Sequence, residues 1–499
     1  MKIFTAAQTR ELDAHTIENE PILSINLMER AATTVTDWLV KNFQREKKFT
    51  IFCGPGNNGG DGLAVARQLL SYSYKVEVYI VHTGKTSDDF KANEERLKRF
   101  LSINHITAPE NIPDIPEENL IIDALFGSGL NKPAQGIFAE VIQKINNSGA
   151  ETISIDIASG LFADEHTPED AVVVQPTHTL TFQMPKLAFL MSENEAYTGS
   201  FHILDIGLDK NFIEQKDTPH YFTDKQHITK IVKARNKFSH KNTFGKVLIV
   251  AGSHGMMGAA LLTSKACLRT GCGVLKAYVP ECGYTIFQTA LPEAMVMTDP
   301  DYKKLTQTPE LEGYHAIGIG PGVQEDEDGK KVLEEIFKTA ECPLVLDAGA
   351  LNLMAKHKEF LEILPAGSVL TPHPGEFSRL ADKAENDFHR LQMLKDFAAK
   401  TKSVVLLKGA YTAIATPEGK VHFNSTGNPG MATPGTGDAL TGIITSLLAQ
   451  GYSSEEAAIA GAYIHGHAGD TAAQMLSQTS MLAGDLIEGI SDFFKDYER

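Results

Sequence analysis

The chain has 499 residues, and at ~100 to 200 residues per domain that length calls for two or three domains, each able to bury a core. Lys and Arg number 46 against 63 Asp and Glu, a formal charge of −17, which disfavours a polyanionic partner such as nucleic acid but leaves room for small anions held by backbone amides. Five Cys make neither a disulfide scaffold nor a paired metal motif, no apolar stretch approaches the ~20 residues of a membrane span, and MKIFTAAQTRELDAH lacks a signal-peptide core; the expected setting is the cytoplasm.

Residues 1–48 read as helical with one break at Glu20-Pro21, because Ile25 through Met28, Val35, Leu39 and Phe43 recur at helical spacing. Short apolar runs follow: FTIFC ending at Cys53, VEVYIV at Val81, NLIIDALF at Phe126 and TISIDI at Ile157, with helix-like segments at 63–70 and 90–100 between them. Further runs at 171–174, 180–182 and 201–206 are expected to complete the layer. This cadence predicts a Rossmann-like three-layer α/β/α domain. Residues 208–241 are polar and lack apolar periodicity, which places a boundary near residue 225. A second α/β series runs through KVLIVAGS, VLKAYVP, HAIGIGPG, PLVLDAG, GSVLTPHPGE and SVVLLKGA to a Gly-rich turn at 435–442 that opens a helix. Its motifs do not repeat those of the first half, so the halves at 1–225 and 226–499 are unlike domains.

In the first half, Cys53-Gly54-Pro55-Gly56-Asn57-Asn58-Gly59-Gly60-Asp61-Gly62 follows a strand and opens a helix, where small residues expose N–H groups to a phosphate. A dinucleotide-binding dehydrogenase would carry an acidic residue at the end of the next strand, whereas this one ends Tyr79-Ile80-Val81-His82. A phosphate-loop reading of His82-Thr83-Gly84-Lys85-Thr86 fails because Tyr79 stands where the motif needs Gly. Two further strand ends carry Asp123 and Asp156, in DALFGSG and DIASG. Lone Asp residues there often cap turns, but three polar turns in one sheet converge on the crevice where such sheets bind ligands. Oxygens of Asn58, Asp123 and Ser159 suit a hard cation, and Asp156 suits a proton acceptor. Lys186 is a structural or substrate-anchoring cation.

The ordered set GPGNNGGDG, DALFGSG, DIASG, LTFQMPK and DIGL resembles the epimerase domain for hydrated nicotinamide dinucleotides. That resemblance implies a substrate, NADHX or NADPHX, with a hydroxyl at C6 of the reduced ring, and interconversion of its R and S epimers. It further implies that Asn57, Asn58, Gly59, Gly60 and Asp61, with Gly127, Ser128, Gly129, Leu130, Asn131, Lys132 and Pro133, surround the substrate. Asp156 would serve the reactive end, and Asn58, Asp123 and Ser159 would bind K+. The family's Asp-Ile-Pro-Ser-Gly appears here with Ala158 in place of Pro, a change that relaxes one φ constraint and keeps every candidate side chain.

In the second half, NSTGNPGMATPGTGD ends in a Gly435-Thr436-Gly437 turn at a helix start. Such a turn directs amides at a transferring phosphoryl group, and Asp438 lies where it takes a proton from an attacking hydroxyl; a plain capped surface turn is the competing reading. Lys408-Gly409-Ala410-Tyr411-Thr412 follows an apolar strand and suits a nucleotide site, while two prolines hold His373 and Glu376 in a rigid turn. His465 and His467, two apart on a helix, face different ways and read as packing or surface residues, not zinc ligands.

The strings NTFGKVLIVAGSHGMMGAA, LPEAMV, GIGPG, TPHPGE, LLKGA, NPGMATPGTGDALTG and GAYIHGHAGD resemble the ribokinase-like fold, and within it the ADP- or ATP-dependent dehydratase acting on S-NAD(P)HX. The resemblance implies that Ala259, Gly322, His373 and Asp438 contact the hydrate, and that Lys408, Gly409, Ala410, Tyr411, Thr412 and Gly437 contact the adenine nucleotide. ADP is the expected donor and Mg2+ the expected charge-neutralising ion. The family's Asp-Ala-Asp-Ala-Leu-Asn reads Asp347-Ala348-Gly349-Ala350-Leu351-Asn352 here, so one carboxylate is missing. Two alternatives compete: a ribokinase-like kinase of a small vitamin-like alcohol, disfavoured by the epimerase-like half, and a nucleotide-binding module without turnover, disfavoured by intact Asp123 and Asp156. A homo-oligomer is expected.

Overall fold

The computed structural model describes residues 1–81 and 84–497, so His82 and Thr83 of the discarded phosphate-loop string lie outside the described residues. The chain forms two compact units, Lys2–Thr218 with Asn386–Phe388, and Pro219–Glu385 with His389 onward.

In the first unit α1 (Ala6–Asn19) begins at Thr5, whose hydroxyl accepts from Gln8 N at 3.2 Å while Gln8 Oε1 accepts from Thr5 N at 3.0 Å. This reciprocal cap satisfies two backbone donors that a helix start leaves open. The break around Pro21 separates it from α2 (Ser24–Asn42). Strands β1 (Lys48–Cys53), β2 (Lys75–Val81), β3 (Asn104–Ile106), β4 (Leu120–Ala124), β5 (Glu151–Ile155), β6 (His178–Phe182) and β7 (Ser200–Leu204) then form one parallel sheet in the order β3-β2-β1-β4-β5-β6-β7. Helices α3 (Asn57–Ser71), α4 (Asp88–Leu97) and α5 (Ile137–Asn146) provide the crossovers. Alternate strand residues serve opposite cores: Ile51 and Ile122 pack with Val35, Leu63 and Phe90, whereas Phe52 and Ile121 pack with Phe138 and Ile142. Both faces are covered, which is why these strands read as continuous apolar runs. The strand order reverses between β1 and β4, and the crevice for a ligand lies at the C-terminal ends of those strands.

One expected strand does not form. Residues 171–174 are extended but unpaired in the sheet; Val174 N donates to Ser159 O at 2.9 Å, and Val173 O accepts from Asn146 Nδ2 at 2.8 Å. Their apolarity reflects burial against the strand-end loop, not a place in the ladder.

The second unit starts earlier than residue 225, because β8 (His220–Thr223) pairs in parallel with a strand far downstream in the same unit. Strands β9 (Lys246–Val250), β10 (Val274–Val279), β11 (Met295–Thr298), β12 (Ala316–Ile319), β13 (Leu344–Leu346), β14 (Val369–Leu370), β15 (Val404–Leu407), β16 (Ala413–Ala415) and β17 (Val421–Asn424) extend that sheet in the order β8-β17-β16-β15-β14-β13-β12-β9-β10-β11. The run from β15 to β11 is parallel; β15-β16 and β16-β17 are antiparallel. Helices α6 (Met257–Arg269), α7 (Gly349–Lys356), α8 (Pro374–Ala381), α9 (Thr436–Ala449), α10 (Ser454–Met475) and α11 (Ala483–Tyr497) belong to this unit. From Ala439 to Ala449 every residue of α9 is buried, which makes it a core helix. No described helix is long and apolar enough to cross a membrane.

Candidate functional sites

In the first unit the turn after β1 delivers α3 tightly against the sheet. A Cβ on Gly59 would lie 1.8 Å from Gly54 O, so only glycine lets the helix start approach the turn this closely. Asn58 is 7% exposed; its Nδ2 donates to Phe126 O at 2.7 Å, and its Oδ1 is buried with no partner among the described residues. Asp123, at the end of β4, is fully buried. Its carboxylate accepts from Ser159 Oγ at 2.6 Å, Ser154 Oγ at 2.8 Å, Ser159 N at 2.9 Å and Leu125 N at 3.2 Å. Burial raises this carboxyl and those bonds pull it back down. No cationic side chain pairs with it among the described residues. Asn58, Asp123 and Ser159 therefore converge, with Ser159 Oγ also 2.8 Å from Phe126 N and 3.3 Å from Phe126 O.

Asp156 follows β5 in a left-handed conformation, φ +67°, strain of the kind that marks functional turns. Its N–H is fixed by Leu180 O at 2.8 Å, and its Oδ1 meets Lys186 Nζ at 2.7 Å. Lys186, 3% exposed, also donates to Thr181 Oγ1 at 3.1 Å. The cation read as structural or anchoring is thus the direct partner of Asp156. A Cβ on Gly127 would lie 3.4 Å from the Asn58 Cβ, while Asn57, Gly129, Asn131 and Lys132 lie exposed. Two carboxyls crowd Asp156 from other elements. Asp61, on α3, is raised well above the usual range by burial and then by Asp156, Asp13 and Asp89. Asp13, on α1, is pushed up to about 6 by burial and Asp156, with Lys186 opposing. Asp13 escaped the sequence reading because nothing in its helix marks it as more than a polar position.

In the second unit the site gathers at the C-terminal ends of β9 and β12 to β15. Gly252 N donates to Pro321 O and Ser253 Oγ to Gly322 O, each at 2.8 Å, which joins the loop before α6 to Gly322. Ala259 lies in the first turn of α6, partly exposed. Lys408, after β15, bonds Asp347 Oδ1 at 2.9 Å and lies 4.0 Å from Glu376 Oε2. Asp347, 2% exposed, also accepts from Thr441 Oγ1 of α9 at 2.9 Å. Burial alone would lower the Lys408 ammonium; Asp347, Glu376 and Asp438 more than compensate and hold it up. The turn before α9 places Gly437 within 3.4 Å of Lys408 Nζ, measured from its would-be Cβ. Asp438, in the first turn of α9, is pushed up to about 6 by burial and Asp347, with Lys408 opposing. His465 Nε2 bonds Thr436 O at 2.8 Å and Asp470 accepts from Gly427 N at 3.0 Å, so α10 braces the Gly-rich loop.

His373 is built into the backbone. Its Nδ1 accepts from Gly375 N at 3.0 Å and Glu376 N at 3.4 Å, and its own N–H donates to Glu376 Oε2 at 2.9 Å, a reciprocal cap on α8. The ring is half exposed, 52%, with Nε2 3.6 Å from Glu376 Oε1. The turn Lys408 to Thr412 is closed by Thr412 Oγ1 on Gly409 O at 3.1 Å, with Gly409 and Ala410 exposed and Tyr411 partly buried. Gly349 replaces the family carboxylate in a confined place, since a Cβ there would lie 2.4 Å from Val323 O. The sequence gives Glu376 only a place in the rigid turn with His373 and Asp347 only a place in the 347–352 string, with no site role for either; the signal for Asp347 was its position directly after an apolar strand.

A Rossmann-like unit with a strand-end Asp-Lys crevice, joined to an α/β unit with a glycine turn and a first-turn Asp, defines a two-site nucleotide enzyme. Residues 24–188 match the family model for the YjeF-related protein N-terminus, and residues 247–492 match that for NAD(P)H-hydrate dehydratase. The bifunctional NAD(P)H-hydrate repair enzyme Nnr of Moorella thermoacetica is 36% identical over 100% of this chain and 97% of its own. An ADP/ATP-dependent NAD(P)H-hydrate dehydratase from Bacillus subtilis, crystallised with ATP and Mg2+, is 32% identical, over 56% of this chain and 99% of its own, with TM-score 0.48. A ribokinase-like superfamily protein from Enterococcus faecalis is 26% identical, over 57% of this chain and 99% of its own, with TM-score 0.50. The chain belongs to the family of bifunctional NAD(P)H-hydrate repair enzymes.

Proposed function

We propose that the first unit interconverts the R and S epimers of NADHX and NADPHX in the crevice of Asn57–Asp61, Gly127–Pro133 and Asp156, and that the second dehydrates the S epimer at Asp438 with ADP as phosphoryl donor. One observation carries this reading: each unit sets an Asp and a Lys at the C-terminal ends of a parallel sheet, beside a helix start that no side chain caps among the described residues and whose amides suit a phosphate. In the hydrate, C6 bears both the hydroxyl and the ring nitrogen, so proton transfer at that hydroxyl controls its loss and return. The contact with Lys186 sets the Asp156 carboxyl group at the reacting end. Asp438 accepts the C6 hydroxyl proton, the oxygen takes the terminal phosphoryl of ADP, and phosphate leaves as the ring nitrogen donates its electron pair. Loss of the C5 proton then completes NAD(P)H, with AMP and phosphate as the other products.

K+ suits the first site. Among the described residues Asn58 Oδ1 is a buried oxygen without a partner and Asp123 a buried carboxyl group without a cation, so Asn58, Asp123 and Ser159 would hold the ion, which would balance the charge of Asp123. In the second site, no cluster of three His, Cys, Asp or Glu suited to a metal occurs among the described residues. Mg2+ would therefore ride mainly on the nucleotide phosphates, where it supplies charge neutralisation. A reducing cytoplasm suits Cys267 and Cys272, both free with sulfurs 3.5 Å apart.

The test is recovery of reduced-nicotinamide absorbance at 340 nm from mixed R and S NADHX, with ADP or ATP, Mg2+ and K+. Complete nucleotide-dependent recovery is expected; none with either nucleotide would remove the dehydratase assignment.

A further inference from the structure

Helix α9 opens on the Gly435 turn, φ +92°, without a side-chain cap, and the amides of Thr436, Gly437 and Asp438 make no hydrogen bond among the described residues. Open amides of this kind are what a helix start offers to an anion. What aims them comes from α10. His465 Nε2 lies 2.8 Å from Thr436 O; a carbonyl only accepts, so Nε2 carries the proton and donates it. Thr436 O and the Gly437 N–H belong to one planar trans peptide and point opposite ways, so a donor fixed on the oxygen fixes the direction of the N–H. The same bond draws electron density towards the oxygen and makes that N–H a stronger donor. Gly437 stands at the Lys408–Asp347 pair: a Cβ there would lie 3.4 Å from Lys408 Nζ and 3.7 Å from Asp347 Oδ2.

Both ends of this contact are anchored. The Thr436 hydroxyl donates to Met431 O at 2.9 Å and Thr433 O at 3.0 Å. On either side of His465, Tyr463 O accepts from Thr426 Oγ1 at 2.9 Å, and Asp470 accepts from Gly427 N at 3.0 Å and Asn428 Nδ2 at 2.9 Å. A Cβ on Gly461 would lie 2.6 Å from Ile444 Cγ1 of α9, so α10 and α9 meet at a distance that only glycine permits. An imidazole that the sequence marks as a packing or surface group is thus held one peptide away from the site.

Resting on the reading of this turn as the place of phosphoryl transfer, we propose that His465 is a positioning residue of the dehydration. Through Thr436 O it holds the Gly437 N–H where the terminal phosphoryl of ADP passes to the C6 oxygen, beside Asp438. His465 neither gains nor loses a proton in that step. An amide aimed in advance at the transferring oxygens stabilises the transition state more than the bound nucleotide, so its misalignment lowers kcat before it raises KM.

The test uses the full chain. Dehydration of S-NADHX is followed at 340 nm over a range of ADP concentrations with Mg2+, epimer interconversion by NMR exchange at C6 without nucleotide, and folding by thermal melting in circular dichroism. A Gln amide nitrogen reaches the place of the imidazole Nε2, an Asn amide falls short of it, and Leu has no donor. His465→Asn and His465→Leu are each expected to lose about tenfold in kcat, with KM for ADP changed by less than about twofold and interconversion at the wild-type rate. His465→Gln is expected to recover most of the lost kcat. A folded Asn or Leu variant within about threefold of the wild-type kcat, or a Gln variant as slow as the Leu variant, would overturn the role of His465. So would the failure of both the Asn and the Leu variant to fold, since the bond to Thr436 would then serve the fold alone. A wild-type chain that fails to dehydrate S-NADHX with either ADP or ATP would overturn the reading of the site itself, and the role of His465 with it.

Discussion

In the first unit Lys186 sits directly on Asp156, at 2.7 Å; in the second, Lys408 sits on Asp347, at 2.9 Å, and leaves Asp438 without an ion pair among the described residues. Both units put one lysine and several carboxylates at the ends of a parallel sheet, yet the lysine pairs with the proposed reacting carboxylate in one and with a neighbour of the proposed one in the other. The difference matches the two chemistries. A carboxyl group salt-bridged to a lysine is fixed in position by that contact, whereas a base that must take a hydroxyl proton works best with its affinity for protons raised. Burial and Asp347 give Asp438 that raised affinity, about 6.

The sharpest way to break the comparison is Asp438→Asn. Nucleotide-dependent dehydration is expected to fall by about 10³-fold or more while epimer interconversion persists, since removing a positioned base costs about 10²- to 10⁴-fold. Wild-type dehydration is expected to fall as pH drops through about 6, as Asp438 gains its proton. The sign for stability is opposite to that of an ordinary salt-bridged Asp. A carboxyl raised above its unfolded value binds its proton more tightly when folded, so stability declines as pH rises from about 4 to about 6. Asp438→Asn is therefore expected to melt higher than wild type at pH 8 and level with it at pH 4.

Lys408→Met tests the other half of the contrast. It would strand Asp347, 2% exposed, and Glu376, 6% exposed, without their shared cation, and breaking a buried pair costs about 3 to 5 kcal/mol. Urea unfolding is expected to show a loss at the lower end of that range, because Thr441 still bonds Asp347. Its adenine-nucleotide affinity is expected to fall as well, measured by calorimetry. A variant as stable as wild type would mean that the Lys408–Asp347 contact is no more than a surface ion pair.

These sites were unequally legible in the sequence. Gly-rich turns after apolar runs announce themselves, because close approach and left-handed backbone need glycine: a Cβ on Gly59 would clash with Gly54 O, and Gly435 has φ +92°. The layered α/β class of both units followed from alternating strands and helices. The antiparallel β16 and β17 were missed because Ala-Ile-Ala and Val-His-Phe-Asn are too short to show a period, and residues 171–174 were misread because burial against a loop produces the same apolar run as a strand. Asp347 and Glu376 meet Lys408 across the fold, and periodicity tells which face is buried but not what lies over it. His373 carries a cap as well as any ligand contact, a double use that the two flanking prolines hinted at only in part.

Gly349→Asp restores the family carboxylate, and the structure argues against a simple gain. A side chain there meets Val323 O at 2.4 Å and Gly320 O at 3.1 Å, and Ala348 beside it already has φ +45°. Overpacking of this kind costs about 1 to 3 kcal/mol, and the expected result is a lower melting temperature with no rise in dehydration rate. A faster, equally stable variant would show that the loop relaxes at little cost.

The smallest effect belongs to Ala158→Pro in the first unit. The Ala158 N–H makes no hydrogen bond among the described residues, while its carbonyl accepts from Leu161 N at 3.1 Å, so proline removes no donor that the fold uses. Its gain comes from the unfolded chain, which loses backbone freedom; at a compatible position this is worth about 0.4 to 1 kcal/mol. Epimerisation is expected to be unchanged, because Asp156 is held by Leu180 O and Lys186, not by residue 158. A loss of stability would mean that the chain bends at Ala158 in a way proline cannot follow, and that the strained φ of Asp156 depends on that bend.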